Sequence, residues 1–474
     1  MHFFYKQTCG LSNKDIQKHA KKLFQYRNHL KKVRTSHAYA DTECSLTLPY
    51  DESHARISRA LAQQKATKAL KYIFVIGIGG SNLGTKAVYD ACRGYHDVCG
   101  DGKFPKMIFL DTVDPEILVA YQKLLATIRS PEEILINIIS KSGGTTETIL
   151  NAEYVYAWLK KKFPAIHERI VVTTDEDSSL WKESMRKHIA CLSIPGLVGG
   201  RYSVFSSVGL FPLAAGGFDI SSLLAGARGV LDRCLGSSIQ NDIGLISAAI
   251  LFSHAKKTKD INDNFFFHPE LESVGRWYRQ LLGESIGKEA KNGARAGITP
   301  TISLGSVDLH SVGQLYLGGP RDKVTTFVYT DIVTLNGIRD LAMSSSGLTR
   351  GSRVIKSGMT VKIRDSSPPA GGPTRNDNQR LFPNLIPELR GVSAQQAMSA
   401  IFQGVQAAYK KQFLPYMTVL LPDISEQSIG MYFQWKMLEM IYLGALFGVN
   451  AFNQPQVELY KKETKRILTM KTKI

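Results

Sequence analysis

Acidic residues are few beside basic ones in this chain: 41 Asp and Glu stand against 59 Lys and Arg, giving a formal charge of +18 over 474 residues. Cysteine is scarcer still. The six cysteines (Cys9, Cys44, Cys92, Cys99, Cys191 and Cys234) are dispersed, form no C-x-x-C pair, and stop at Cys234. That spacing excludes a disulfide framework and a structural zinc site, and it fits thiols kept reduced in a cytoplasm. Long apolar runs are also missing. The most apolar stretches, Val208 to Phe218 and Met440 to Val449, fall short of the roughly 20 residues a membrane helix needs. Phe3, Phe4 and Tyr5 are followed at once by polar residues, so no signal-peptide core forms. The expectation is a soluble, cytoplasmic protein with no membrane partner. The positive charge comes without Cys/His finger spacing or an aromatic RNA-binding strand, and its only dense run is the tail from Lys461 to Lys473. No nucleic-acid partner is expected. The charge reads as a solvated surface first and as steering of an anionic substrate second.

What is present is a globular composition, 43% hydrophobic and 21% charged, in a chain too long for one ordinary core. Residues 1–70 read as mainly helical. An alternation of short apolar runs and amphipathic segments then begins. Strands are predicted over 72–77, 107–110, 134–139, 170–173 and 190–194, with helices over 83–92, 115–128, 147–162 and 179–187. After the glycines at 216 and 217 the pattern restarts, with helices over 243–256 and 271–282 and strands over 300–304, 325–329 and 417–421. Strands alternating with helices of this length predict doubly wound parallel sheets. The fold class is therefore α/β, with two parallel-sheet domains and helical N- and C-terminal extensions. Boundaries are set at 1–50 for the N-terminal extension, 51–235 and 236–450 for the two α/β domains, and 451–474 for a C-terminal helix and tail. The proline- and glycine-rich stretch 366–376 reads as a loop.

Two loops carry chemistry. Gly77-Ile78-Gly79-Gly80-Ser81-Asn82 joins a buried strand to a helix, where glycines let the backbone approach an anion and the helix N-terminus offers free N–H groups. A dinucleotide site needs a third glycine where Asn82 stands, although Asp111 after the next strand imitates a ribose-binding acid. A tight turn without a ligand is the plainer alternative. The second loop, Ser140-Lys141-Ser142-Gly143-Gly144-Thr145-Thr146, gathers hydroxyls, an ammonium and two glycines at another helix start. One hydroxyl would suffice for a cap. A dianionic phosphate would use several. The nucleotide-binding pattern G-x-x-x-x-G-K-[ST] is absent, so the phosphate belongs to a small molecule.

Four further segments follow in order: Gly199-Gly200-Arg201-Tyr202-Ser203, Gly283-Glu284-Ser285-Ile286-Gly287-Lys288, Asp308-Leu309-His310-Ser311, and Gly448 to Lys461, which ends Glu458-Leu459-Tyr460-Lys461. Together with the second loop they resemble the motifs of the glucose-6-phosphate isomerase family, over about residues 70–465. Gln456 stands where the family prefers a small residue, Leu317-Gly318-Gly319 replaces a Gln-Glu-Gly of short bacterial relatives, and 342–384 matches poorly.

The resemblance implies two flavodoxin-like sugar-isomerase domains and an aldose-ketose isomerase acting on a hexose 6-phosphate, without metal or organic cofactor. It implies that Glu284 is the base that moves a proton between C1 and C2 through a cis-enediol intermediate, as an ionised carboxylate can. It implies that Arg201 stabilises the negative charge that develops, and that His310 and Lys461 serve ring opening. Gly80, Ser81, Ser140, Lys141, Ser142, Thr145, Gln280 and Gln454 are expected to bind substrate. The family works as a homodimer in which this histidine crosses the subunit interface. Two rival readings keep part of the pattern. A phosphosugar-binding regulator would need the second loop but not Glu284, His310 and Lys461 together, and a dehydrogenase would need the glycine that Asn82 replaces.

Overall fold

The computed structural model describes residues 1–36, 38–94, 97, 104–236, 238–330 and 392–471. The predicted loop over 366–376, the poorly matching stretch 342–384 and Cys99 lie outside the described residues. Twelve strands are present among them: β1 (His2–Phe4), β2 (Tyr72–Ile76), β3 (Lys106–Leu110), β4 (Ile134–Ser140), β5 (Ile170–Thr174), β6 (Ala190–Ser193), β7 (Ile261–Phe266), β8 (Lys288–Glu289), β9 (Arg295–Ala296), β10 (Thr299–Leu304), β11 (Lys323–Thr330) and β12 (Tyr416–Leu421). The first sheet has the order β3-β2-β4-β5-β6 and is parallel throughout. Its central strand β4, Ile-Leu-Ile-Asn-Ile-Ile-Ser, is buried along its whole length, as a strand covered on both faces must be.

The second sheet repeats that plan with one substitution. Its order is β1-β12-β11-β7-β10, so β7 lies between β10 and β11 as β2 lies between β3 and β4. All its pairings are parallel except that of β1 with β12. The stretch 1–50, expected as a helical extension, thus does more than carry the helices Asn13–Lys22 and Phe24–Ser36: its first residues supply the last strand of the distant sheet. The reason is the unpaired N–H and C=O row that β12 would otherwise leave at an edge.

Strand β7 escapes the sequence reading. Its core is Asn262-Asp263-Asn264, all fully buried, and polar residues do not announce a buried strand. Each finds hydrogen-bond partners on other elements. Asn262 donates to the Val324 carbonyl at 3.0 Å, and Asn264 accepts from the Tyr432 hydroxyl at 3.0 Å. Oδ1 of Asp263 accepts the hydroxyls of Thr301, Ser303 and Tyr316 at 2.7–3.0 Å. Burial pushes that carboxyl up to about 6 despite the three hydroxyls.

The halves are joined by the helix Glu426–Phe447, which is buried over most of its length and packs on the helix Ile220–Gly236. Glycine makes the contact possible. A Cβ on Gly226 would stand 2.0 Å from the Gln427 carbonyl oxygen, and one on Gly430 would stand 2.0 Å from that of Leu223. No helix among the described residues is long and apolar enough to cross a membrane. Cys9, Cys44, Cys92, Cys191 and Cys234 are free thiols.

Candidate active site

In the first sheet the chain leaves β2 for β3 on one side and returns to β4 on the other. The sheet order therefore reverses between β2 and β4, and in open α/β sheets ligands bind in the crevice outside the strand ends at that point. Ile76 pairs with Ile138, so the glycine loop after β2 and the hydroxyl loop after β4 leave from neighbouring strand ends. The first loop starts hard against β4: a Cβ on Gly77 would lie 3.0 Å from the Ile139 carbonyl oxygen.

The first loop is packed against two other segments. Gly79 has φ +61°, and a Cβ there would fall 2.7 Å from Nε2 of Gln280. A Cβ on Gly80 would fall 2.1 Å from the carbonyl carbon of Gly200, so the two loop backbones meet with no room for any side chain. These glycines bring the β2 loop, the turn Gly200–Tyr202 and the helix Glu272–Ile286 to one place.

Arg201 sits at that junction, 2% exposed. Nε donates to Ser285 Oγ at 2.9 Å, and Nη2 donates to the carbonyls of Ala451 at 2.5 Å and Asn453 at 3.1 Å. Nη1 donates to Gln454 Oε1 at 3.0 Å and to Glu284 Oε2 at 3.3 Å. Five donors meet five acceptors, which fixes the guanidinium plane. Tyr202 shares Ser285 through its hydroxyl at 2.9 Å, and burial pushes that phenol up. Glu284 stands in the last turns of the helix Glu272–Ile286, partly exposed, and its other oxygen accepts from Gln280 Nε2 at 3.1 Å. Gln280 Oε1 is buried without a hydrogen-bond partner.

The loop after β4 is shaped by its own hydroxyls. Ser140 Oγ lies 3.0 Å from Thr145 Oγ1, Ser142 Oγ lies 3.4 Å from the Gly144 N–H, and Gly143 takes φ +66°. Thr145 precedes the helix Thr146–Lys162 without a side-chain cap bond, which leaves N–H groups at that helix start for an anion. Lys141 is turned elsewhere. Its ammonium donates to the carbonyls of Gly196 at 2.5 Å and Val198 at 2.9 Å, and burial holds it below the usual lysine range. In this geometry it ties the β4 loop to the segment leading into Arg201.

The structure thus brings together Gly80, Ser81, Gln280, Glu284, Arg201 and Gln454, with Ser140, Lys141, Ser142 and Thr145 on the adjoining loop. It leaves two expected residues apart. His310 is exposed at the end of the turn Val307–His310 and makes no hydrogen bond or ion pair among the described residues. Lys461 lies in the helix Val457–Lys471 and pairs with Glu458 at 2.9 Å. Ser285 and Tyr202, which hold Arg201, carried no assignment from sequence, although each adjoins an assigned residue. Among the described residues one group has metal-binding spacing, His29, Asp41 and Glu43, and none of its members belongs to this site.

Two largely parallel sheets related by a repeated strand order, with a carboxylate and a buried guanidinium beside the switch point of the first, define a doubly wound α/β protein with a ligand crevice at that point. The family model described as phosphoglucose isomerase matches residues 53–319. The chain is 30% identical over 437 residues to the glucose-6-phosphate isomerase of Carboxydothermus hydrogenoformans, spanning 89% of this chain and 84% of that one. Against the glucose-6-phosphate isomerase of Thermus thermophilus it is 30% identical over 426 residues, 89% of each. In three dimensions it superposes on a hypothetical protein of Thermus thermophilus with a TM-score of 0.78 at 27% identity, covering 98% of this chain and 99% of that one. A glucose-6-phosphate isomerase of Chlamydia trachomatis shares the fold, with a TM-score of 0.71 at 18% identity over 100% of this chain and 89% of that one. The chain belongs to the phosphoglucose isomerase family.

Proposed function

We propose that this protein interconverts D-glucose 6-phosphate and D-fructose 6-phosphate, opening the ring and moving a proton through a cis-enediol intermediate, and so serves glycolysis and gluconeogenesis in the cytoplasm. The observation that carries the reading is the Glu284 carboxylate held between Arg201 and Gln280 beside the glycine loop at the switch point. Glu284 takes the proton from one sugar carbon and returns it to the neighbour. Arg201, a planar guanidinium, faces the oxygen on which negative charge develops. Its bond to Glu284 is the longest of its five and is the one that yields to substrate.

The phosphate docks on Ser140, Ser142, Thr145, Ser81 and the Gly80 backbone, and Lys141 holds that loop in place. Gln280 and Gln454 contact the sugar, for which the unpartnered Gln280 Oε1 is available. Ring opening falls to Lys461 and to His310 of the partner subunit in a homodimer. The exposure of His310 on its own chain supports that arrangement. The working units are the α/β domains 51–235 and 236–450 with the extensions 1–50 and 451–474. Ring opening breaks the bond between the anomeric carbon and the ring oxygen as one proton is removed from the anomeric hydroxyl and one is delivered to that oxygen, and the isomerisation then moves protons between C1, C2 and their oxygens; general acid–base side chains serve both without a metal or organic cofactor.

The test is a coupled assay that follows glucose 6-phosphate formed from fructose 6-phosphate. Glu284→Gln is expected to lower kcat by about 10²–10⁴-fold with little change in KM. Near-normal turnover in that variant would remove Glu284 from its role. Sugar-phosphate binding by the unaltered protein with no turnover would favour the regulator instead.

A further inference from the structure

Lys288 lies one turn beyond Glu284, where the helix Glu272–Ile286 gives way to β8. Its side chain is buried, 9% exposed, which is uncommon for a lysine. The ammonium donates to the carbonyl of Asn450. Asn450 belongs to the turn after the helix Glu426–Phe447, and the next residues, Ala451 and Asn453, offer the two carbonyls that hold Nη2 of Arg201. Gln454, which accepts from Nη1, continues the same turn. The backbone strengthens the link, since the Lys291 N–H donates to the Gly448 carbonyl at 3.3 Å. Lys288, Asn450, Asn453 and Gln456 also line a cavity of about 400 Å³.

We propose that Lys288 is a positioning residue for the isomerisation: it fixes the 448–454 turn that orients Arg201, and it adds a second positive charge beside Glu284. The proposal rests on the function proposed above. It explains why a cation is buried at that point, because the turn presents several backbone carbonyls to one small space and two cations, Arg201 and Lys288, divide them. The charged groups that act on Lys288 are Arg201, which opposes its protonation, and Glu284, which favours it, and burial is the largest influence. The balance pushes the ammonium down to about 7. Glu289 and Lys291 of its own hairpin line the same cavity, while the facing turn contributes the uncharged Asn450, Asn453 and Gln456. On this proposal the second charge diminishes as pH rises, because burial and Arg201 both disfavour the protonated form.

Two measurements test this. In the fructose 6-phosphate assay, Lys288→Met is expected to lower kcat roughly 10-fold, with KM changed less than about threefold, because the interaction matters most when charge develops. The unaltered protein is expected to lose kcat as pH rises through about 7, and Lys288→Arg should recover most of the rate of the unaltered protein without that decline. A Lys288→Met protein with unchanged kcat and an unchanged pH profile would overturn the proposal. So would one whose only defect is a lowered Tm with normal kcat per folded molecule.

The second measurement needs no turnover. NMR of protein labelled at lysine Cε should show one lysine titrating near neutrality, absent in Lys288→Arg and shifted to lower pH in Glu284→Gln. A Lys288 signal that ignores the Glu284 substitution would refute the electrostatic link. If the unaltered protein shows no isomerase activity, that result falls on the proposed function, and the NMR titration alone decides whether Lys288 and Glu284 form one unit.

Discussion

The two ends of the proposed chemistry are built differently. At the proton-transfer end, Arg201 is 2% exposed with all five donors engaged, and Glu284 is gripped on both oxygens. At the ring-opening end, His310 stands exposed with no hydrogen bond among the described residues, and Lys461, half-buried, is held only by a surface ion pair with Glu458. The difference teaches where each half gets its geometry. A group that must meet a developing charge is fixed in advance by its own chain, since reorganisation at the moment of reaction would cost rate. Groups left at the surface take their geometry from something outside the chain, which on the proposed reading is a second subunit and the substrate.

The strongest way to break this contrast is to remove the fixed cation. Arg201→Met leaves the Ala451 and Asn453 carbonyls and Gln454 without their donor and Glu284 without its counter-charge. The loss of one partner from a buried charged network costs about 3–5 kcal/mol of stability. kcat is expected to fall about 10²–10³-fold, the range for removing a preorganised electrostatic group. A variant that unfolds at an unchanged denaturant midpoint would show that the clamp is looser than its five bonds suggest.

His310 sharpens the comparison from the other side. His310→Asn is expected to reduce kcat about 10–10²-fold with the melting temperature unmoved, because no hydrogen bond or ion pair among the described residues is lost. Co-expression with Glu284→Gln separates the two placements of the histidine. If each site takes Glu284 from one subunit and His310 from the other, mixed dimers hold one intact site, and about a quarter of normal activity returns from two inactive variants. No recovery would place both residues in the same subunit.

How much of this was legible beforehand follows the same division between apolar pattern and polar detail. The strands of the first sheet were readable because β2 and β4 are short continuous apolar runs ended by glycine and serine, and their loops identified themselves by chemistry. Arg201, Glu284 and Gln454 were named from motifs, but their mutual bonding was not, because residues 83 and 253 positions apart in sequence meet only through folding. The reading failed at β7, whose Asn-Asp-Asn core is satisfied by hydroxyls and carbonyls from other elements that no local window contains. It failed at β1 for a topological reason, since three residues at the chain start say nothing about pairing with a strand more than 400 residues away. Lys141 shows a third kind of limit. Its place in the loop suggested a phosphate ligand, yet its ammonium donates to the carbonyls of Gly196 and Val198.

Lys461 carries the smallest expected effect and the sharpest discrimination within the contrast. Its ion pair with Glu458 is exposed on both sides, 39% and 54%, and such pairs contribute only about 0–1 kcal/mol. Lys461→Ala should therefore leave the melting temperature within error. Its effect on turnover depends on the form of the substrate. If the ammonium assists ring opening, kcat from the cyclic sugar phosphate falls, by roughly 10-fold, while an open-chain substrate that already exposes its carbonyl is turned over at close to the normal rate. Equal losses on both substrates would move Lys461 from ring opening to phosphate binding, and the exposed end of the site would then hold a docking group as well as a proton carrier.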